Sequence, residues 1–509
     1  MPAPKKQTAK TPAKEKPDAS QPGDLQEPRL PTGVEGLDAV LEGGLIPNQA
    51  YLLRGGPGTG KTTLGLHFLT QATASEPALF ITLGEIEAKI RRNATKLGFN
   101  LEHVHFLDLS PSADFFTEDK SYDIFTPADV ERGSITQRII SGIQDLKPNR
   151  VFVDSITQLR YLSSENYQFH QQVLSFIRYL TDEGATTIFT SDSSDYMRDD
   201  DLMFLSDGVI SLQADADGRT IEVSKFRGSG FVEGQHSMKI KSSGIQVFPQ
   251  LKPNKFSRGL GVKQISSGIP EIDQLLHGGI ESGTVTIISG PTGSGKTTLG
   301  TQFMKEAAGG GVRSVLYSFE EAVDMILHRC EGINMPAQAM VENGSLLVES
   351  VEALSMSPDE FAQKVRHEVE VQGTRIVMID GLAGYRLSMW GTKANAHIHA
   401  LCRYLRNMGV TTLLLDEVGT VTGEFKATGQ PLSYLADTIV FLRYLEIDGK
   451  LRKAIGVLKK RLSGFEPTLR EFEITRYGLK VGEPLSNLRG ILNGIPEWVG
   501  PPDARAKKD

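Results

Sequence analysis

Gly290-Pro291-Thr292-Gly293-Ser294-Gly295-Lys296-Thr297 spells G-x-x-x-x-G-K-T, the Walker A pattern. Glycines let successive backbone N–H groups turn inward around phosphate oxygens with no Cβ in the way. The lysine reaches the β- and γ-phosphates, and the threonine hydroxyl is a ligand for Mg²⁺. The flanks fit. Thr284 to Ser289 reads as a buried strand entering the loop, and Thr298 to Met304 as the helix leaving it, with its N-terminus aimed at the anion. Gly55-Gly56-Pro57-Gly58-Thr59-Gly60-Lys61-Thr62 repeats the pattern after Ala50-Tyr51-Leu52-Leu53, with the two lysines 235 residues apart. A glycine-rich loop that binds nothing is the bland alternative, and two matches in register argue against it.

The repetition is wider than the loops. Leu30-Pro31-Thr32-Gly33-Val34-Glu35-Gly36-Leu37-Asp38 precedes the first, and Ile265-Ser266-Ser267-Gly268-Ile269-Pro270-Glu271-Ile272-Asp273 precedes the second. Self-similarity at domain length means duplication. The pattern breaks near Gln250 to Gly261, so the expected division is a disordered tail at 1–28, one unit at 29–250, a second at 251–492 and a short tail at 493–509. The first 27 residues are rich in Lys, Pro, Ala and Thr and lack the apolar core of a secretory signal.

In each half, short apolar strands alternate with helical segments. Strands are expected at Ala78–Thr82, His105–Leu109, Arg150–Asp154 and Thr186–Ser191, then at Ser314–Ser318, Ser345–Glu349, Arg375–Asp380 and Thr411–Asp416. Helices are expected at Tyr167–Asp182 and Lys393–Asn407, among others. The fold class is therefore α/β: two tandem P-loop units, each a mostly parallel sheet flanked by helices.

The 509 residues have ample length to bury a core in each unit. Charged content of 23% is ordinary, and a net charge of −7 argues against coating nucleic acid by charge alone. No apolar run reaches membrane-spanning length. The two cysteines, Cys330 and Cys402, lack C-x-x-C spacing and read as reduced core thiols of a cytoplasmic protein.

Three further sets of residues carry chemistry. Val151-Phe152-Val153-Asp154 and Val377-Met378-Ile379-Asp380 are apolar strands ending in Asp. Alone, such an Asp is only a strand end; behind a Walker A loop it holds Mg²⁺ with Thr62 or Thr297. Glu85 lies 24 residues after Lys61, and Glu320-Glu321 ends with Glu321 at 25 after Lys296. These carboxylates can take a proton from water or a hydroxyl attacking the γ-phosphate. The alternative is a solvated pair at a helix start, favoured by the helix dipole. Lys225-Phe226-Arg227-Gly228 and Lys459-Lys460-Arg461 end late strands. Lys and Arg alternating on a strand point the same way and need an anion, which the γ-phosphate of a neighbouring subunit would supply. The alternative is a basic edge that discourages aggregation.

Together these residues resemble the KaiC family, the two-domain RecA-type ATPases of the circadian clock, from about Leu30 to Val499. The resemblance implies stacked rings in a homohexamer, with ATP and Mg²⁺ between subunits. It implies ATP hydrolysis in the first half, and hydrolysis plus phosphorylation of the chain's own Ser/Thr in the second. It places the nucleotide on Gly58, Thr59, Gly60, Lys61, Thr62 and Thr63 with Lys225, Phe226, Arg227, Gly228 and Ser229. In the second half it places it on Gly293, Ser294, Gly295, Lys296, Thr297 and Thr298 with Lys459, Lys460 and Arg461. The segment Asp437-Thr438-Ile439 looks like the family's Asp-Thr-Ile strand, which makes Ser433 the candidate phosphoacceptor; Tyr434 stands where the family has threonine, and Thr428 matches a nearby family threonine. Gly84 stands in place of the first family glutamate, Gly381 in place of a serine after Asp380, and Leu462 in place of a glycine. The tail after Leu492 is short, so KaiA is not expected as a partner, while a KaiB-like partner on the first ring is compatible. Two other readings share the core: a DNA-processing ATPase, for which no basic appendage or zinc ribbon is present, and a nucleotide-gated scaffold with little turnover.

Overall fold

The structure is a computed structural model and describes residues 28–110, 127–161, 166–192, 199–216, 218–256, 263–389, 394–418, 433–447, 449–490 and 497–499. Its first sheet contains β1 (Ala50–Gly55), β2 (Ala78–Thr82), β3 (Val104–Asp108), β4 (Arg150–Asp154), β5 (Thr186–Asp192), β6 (Gly208–Asp215), β7 (Gly218–Phe226), β8 (Gln235–Lys241) and β9 (Gly244–Phe248). Their order is β3-β2-β4-β5-β1-β6-β7-β8-β9. From β3 to β6 the neighbours are parallel; from β6 to β9 they are antiparallel.

A two-stranded ribbon of β10 (Gln264–Ile265) and β11 (Ile280–Glu281) opens the second half. The second sheet then contains β12 (Val285–Gly290), β13 (Ser314–Ser318), β14 (Leu346–Ser350), β15 (Ile376–Asp380), β16 (Thr411–Glu417), β17 (Thr438–Ile447), β18 (Lys450–Lys460), β19 (Arg470–Thr475) and β20 (Gly478–Pro484). Its order, β14-β13-β15-β16-β12-β17-β18-β19-β20, repeats the first strand for strand. Every strand expected from apolar runs is present within about one residue. The antiparallel extensions were legible only as the two strands ending in Lys and Arg.

Helices cover both faces, and this explains why the central strands are apolar throughout. All residues of β2, β12, β13 and β15 are buried. Each sheet has a main apolar cluster on each face, around Phe80 and Phe152 or Phe169 and Phe189 in the first half, and around Phe303 and Met378 or Phe361 and Tyr385 in the second. Cys330 and Cys402 are buried, unpaired members of the second-half core. Leu251, at the junction, is buried in the second half's core, and Phe256 packs edge-on against Tyr404 at 5.0 Å. Among the described residues no helix is long and apolar enough to cross a membrane.

One buried polar contact joins the halves. The helix Pro358–Glu370 starts with Pro at its first position and is capped by Ser357, whose hydroxyl accepts from the Glu360 N–H at 3.2 Å. That turn projects Asp359, 3% exposed, toward β8. Its Oδ2 accepts from the Ser237 N–H at 3.1 Å and from the Ser237 hydroxyl at 2.8 Å. His397 Nδ1 lies 3.4 Å from Oδ1. Lys239, on the same strand, pairs with Glu360 at 2.5 Å and donates to the Ser355 carbonyl at 2.8 Å.

Removing the Asp359 carboxylate strands the Ser237 N–H in a half-buried interface, a loss of about 1–3 kcal/mol. Asp359→Ala should therefore lower the midpoint of thermal unfolding, with Ser237→Ala lowering it less because the backbone N–H keeps its acceptor. Differential scanning calorimetry checks this; an unchanged midpoint for Asp359→Ala would contradict the assignment.

Candidate nucleotide site in each half

Both loops follow the sheet's central strand, β1 or β12, and both turn through glycines with left-handed backbones. Gly58 and Gly293 have φ of 73° and 74°, and Gly60 and Gly295 both 107°. A side chain is strained at such angles. At the second glycine of each loop it would also collide. A Cβ on Gly60 would lie 3.0 Å from Ile240 Cδ1, and one on Gly295 2.8 Å from Ile474 Cδ1. The helices Lys61–Leu69 and Lys296–Gly309 start at the loop lysines. Lys61 donates to the Gly55 carbonyl at 2.6 Å and pairs with Asp192 at 2.9 Å; Lys296 donates to the Gly290 and Pro291 carbonyls at 2.9 and 3.0 Å. Burial pulls the Lys296 ammonium below its usual pKa, while the Glu417 and Asp380 carboxylates hold it up. Thr59 and Ser294 turn their hydroxyls under the loop, Thr59 onto the Gly56 carbonyl at 2.8 Å. What these two positions offer a phosphate is therefore backbone N–H. Thr298 is buried and Thr63 half-buried in the first helical turn.

The expected metal ligands meet in both halves. Thr62 Oγ1 donates to Asp154 Oδ2 at 2.6 Å, and Thr297 Oγ1 to Asp380 Oδ2 at 2.8 Å. Thr190 holds the other oxygen of Asp154 at 2.7 Å. Burial raises the pKa of both aspartates against the hydrogen bonds from the loop threonines. For Asp380 the rise reaches about 6, with the Glu321 and Glu320 charges adding to it. A hydroxyl and a carboxylate beside a phosphate loop fit Mg²⁺, which takes one or two protein oxygens and completes its shell with phosphate and water. The mutual repulsion of three carboxylates in the second half favours a cation there.

The carboxylates are presented by the same turn in each half. Thr82 Oγ1 donates to the Glu85 carbonyl at 2.5 Å, and Ser318 Oγ to the Glu321 carbonyl at 2.8 Å. Glu85 and Glu321 are thus equivalent, and Gly84 takes the place of Glu320. Glu85 pairs with Lys89 at 2.6 Å, Glu321 with Arg329 at 2.8 Å. A Cβ on Gly381 would lie 2.6 Å from Glu320 Oε1. In the first half the sizes are exchanged, with Gly84 at the Glu320 position and buried Ser155 at that of Gly381.

The late basic strands divide by face. Lys225 donates to the Met203 and Ser206 carbonyls at 2.8 and 2.6 Å, at the end of the helix Asp200–Leu205. Lys459 and Arg461 donate to the Ser433 and Tyr434 carbonyls at 3.0 and 3.1 Å. Phe226 and Lys460 face the other way. Phe226 is buried against Tyr51, and Lys460 is buried in an ion pair with Glu281 at 3.0 Å. Strand alternation thus turns these two side chains away from the face that carries Lys225 and Lys459. Gly228 has a left-handed φ of 83°, and the Ser229 hydroxyl accepts from Arg29 at 2.6 Å. The chain also supplies anions to the arginines, contrary to expectation: Asp207 lies 3.5 Å from Arg227 and Asp437 3.6 Å from Arg461, with both guanidiniums half exposed.

Register places these strand ends far from their own loops. Phe226 pairs with Gly208, which pairs with Tyr51 at the start of β1; Lys460 pairs with Thr438, which pairs with Thr286 near the start of β12. The loops leave the opposite ends, about 13 Å or more along the strands. Ser433 and Tyr434 are exposed beside Lys459 and Arg461, and the Tyr434 ring lies 5.9 Å from that of His399. Thr428 falls outside the described residues.

Four contacts on the loops were not foreseen. Asp192 and Glu417 end β5 and β16, one residue beyond where those strands were expected to stop. Asp192 pairs with Lys61, and Glu417 accepts from the Thr292 hydroxyl. Tyr444 and Lys453, from the antiparallel ribbon, donate to the Thr292 and Gly293 carbonyls at 3.2 and 2.8 Å.

Comparison with known proteins adds a family. The model described as "ATPase: KaiC" matches the chain twice, at residues 30–252 and 265–486. The chain is 28% identical over 499 residues to the circadian clock oscillator protein KaiC of Parasynechococcus marenigrum (strain WH8102), covering 95% of this chain and 96% of that one. It is 27% identical to the protein of that name from Prochlorococcus marinus (strain MIT 9313), covering 93% and 97%, and 26% identical to that from Thermosynechococcus vestitus, covering 92% of each.

The rise of Asp380 from 3.8 to about 6 has a definite sign. The folded state binds this proton more tightly than the unfolded one. The resulting stabilisation is full below the unfolded value and is lost as pH rises through the folded one, about 3 kcal/mol in all. Without nucleotide or metal, Asp380→Asn should be more stable than the parent at pH 8, and the advantage should shrink by pH 4.5. Thermal melts across that range check it; an advantage independent of pH would exclude a charge effect.

Proposed function

The chain belongs to the KaiC family of ATPases, and on that premise we propose that each half binds and hydrolyses Mg²⁺-ATP and that the second half phosphorylates Ser433. The units are 29–250 and 251–492, and copies assemble into a ring, six by analogy with the family, serving a timing or signalling device. The observation that carries the reading is the duplicated contact of loop threonine with strand-end aspartate, Thr62 with Asp154 and Thr297 with Asp380.

The loop backbone and Lys61 or Lys296 hold the phosphates. Mg²⁺, held by the Thr–Asp pairs, would offset charge on the β- and γ-phosphate oxygens. Glu85 in the first half, and Glu321 with Glu320 in the second, accept the proton of the attacking oxygen. That oxygen, from water or Ser433, forms a bond to the γ-phosphorus as the bond to the bridging oxygen breaks and ADP leaves. The basic strand ends serve a neighbouring copy. Their distance from their own loop supports this, and the loose Arg227–Asp207 and Arg461–Asp437 pairs are exchangeable for a phosphate.

Intact-mass spectrometry after incubation with Mg²⁺-ATP tests the reading. Phosphate should appear on the parent and on Lys61→Ala if that variant still assembles, and be absent from Lys296→Ala and Ser433→Ala. Phosphate retained on Lys296→Ala would exclude self-phosphorylation by the second site. Arg461→Ala should lower phosphate transfer by tenfold or more, and mixing it with Lys296→Ala should restore transfer if the arginine acts on a neighbour's nucleotide.

A further inference from the structure

The repeat has one position where the halves part sharply, away from either nucleotide loop. In the first half Arg150 opens β4. Its side chain is buried, donates to the Pro31 and Phe68 carbonyls at 2.8 and 3.2 Å, and lies over the Phe68 ring at 4.9 Å. Burial pulls its guanidinium below the usual range, and the Glu76 and Asp38 carboxylates offset part of that. The register partners of Ala78 and Ser314 make Ile376 the equivalent of Arg150. Counting back from the same two residues makes Val312 the equivalent of Glu76. A buried arginine and an exposed glutamate have become an aliphatic pair, with a much shorter side chain in place of Arg150.

In the second half this place borders a cavity of about 530 Å³. It lies at the starts of β15 and β16, the end of the sheet opposite the loop. Ile265, Ala307, Val312 and Ile376 give it an apolar wall, and Lys263, Arg375 and Glu306 supply its charge. Lys263 and Arg375 pair with no carboxylate among the described residues. Two cations and one carboxylate leave a single net positive charge. That suits one negative charge on an apolar body and poorly suits the multiple charges of a nucleotide. The volume lies within the range of small-molecule sites, which are mostly apolar with a few orienting polar groups.

We propose that this cavity binds a small organic carboxylate with an apolar body, seated on Ile265 and Val312 with its headgroup toward Arg375 and Lys263. The first half lacks the site because the Arg150 side chain, held on the Pro31 and Phe68 carbonyls, occupies the equivalent place. The proposal is independent of the nucleotide chemistry.

Isothermal titration calorimetry of octanoate into the full-length protein, held in Mg²⁺-ATP, tests it. One saturable site per chain is expected, with octylammonium and acetate binding at least tenfold more weakly. Arg375→Ala should weaken octanoate about tenfold. The double substitution Ile376→Arg with Val312→Glu installs the first half's residues and should abolish binding; circular dichroism checks that it folds. If it does not fold, Arg375→Ala and Arg375→Glu, at an exposed position, decide alone. Absence of saturable octanoate binding, equal binding of octylammonium, or octanoate binding unchanged in the folded double variant or in both Arg375 variants would each overturn the proposal.

Discussion

A hydroxyl in the first turn of a helix and a carboxylate at the end of a strand two places away in the sheet come within hydrogen-bond distance in both halves. That contact constrains nearly everything around it. The order β4-β5-β1 puts one strand between the loop-bearing strand and the aspartate. The helix must therefore leave the loop over β5, and the left-handed glycines of the loop set that direction. Asp154 and Asp380 are held by their threonines at the cost of deep burial, and their raised pKa values record that cost. A site that makes negative charge expensive next to a phosphate loop is prepared for a cation.

Duplication has preserved this contact and relaxed what surrounds it. The second half crowds Asp380 with Glu320 and Glu321, with Gly381 lying against Glu320. The first half keeps the equivalent of Glu321 alone, with Gly84 and Ser155 in the exchanged sizes. Lys61 is tied to Asp192, whereas the second loop is braced by Tyr444, Lys453 and Glu417. Fewer carboxylates around the first aspartate mean less repulsion to be relieved by a metal, so the two halves are electrostatically unequal although their topology is the same.

The antiparallel ribbons give each half its second surface. Because β7 and β18 run against the parallel strands, their C-terminal ends return to the far end of the sheet. Cations placed there cannot serve their own loop without crossing the whole sheet. Chain direction alone thus removes a pair of basic residues from the reach of their own loop. The side-chain alternation of the same strands sends Phe226 and Lys460 into the interior.

Much of this was legible in the primary sequence. Two loops in register, two apolar strands ending in Asp and two carboxylate turns mark local chemistry, and local chemistry depends on spacing that a chain carries with it. The parallel strands were legible because burial on both faces makes them continuous apolar runs. The antiparallel ribbons were not, because half-buried strands of mixed polarity resemble loops. Asp192 and Glu417 were passed over because they stand one residue beyond the apolar run that defines a strand. Only the tertiary structure decided that Lys460 meets Glu281, that Gly381 lies against Glu320, that Asp359 bolts the halves together, and that Ile376 borders a cavity where Arg150 fills its place. Each of these depends on which residue lies opposite another across a sheet or an interface. That is set by register and packing between segments far apart in the chain, which neighbouring residues alone do not encode.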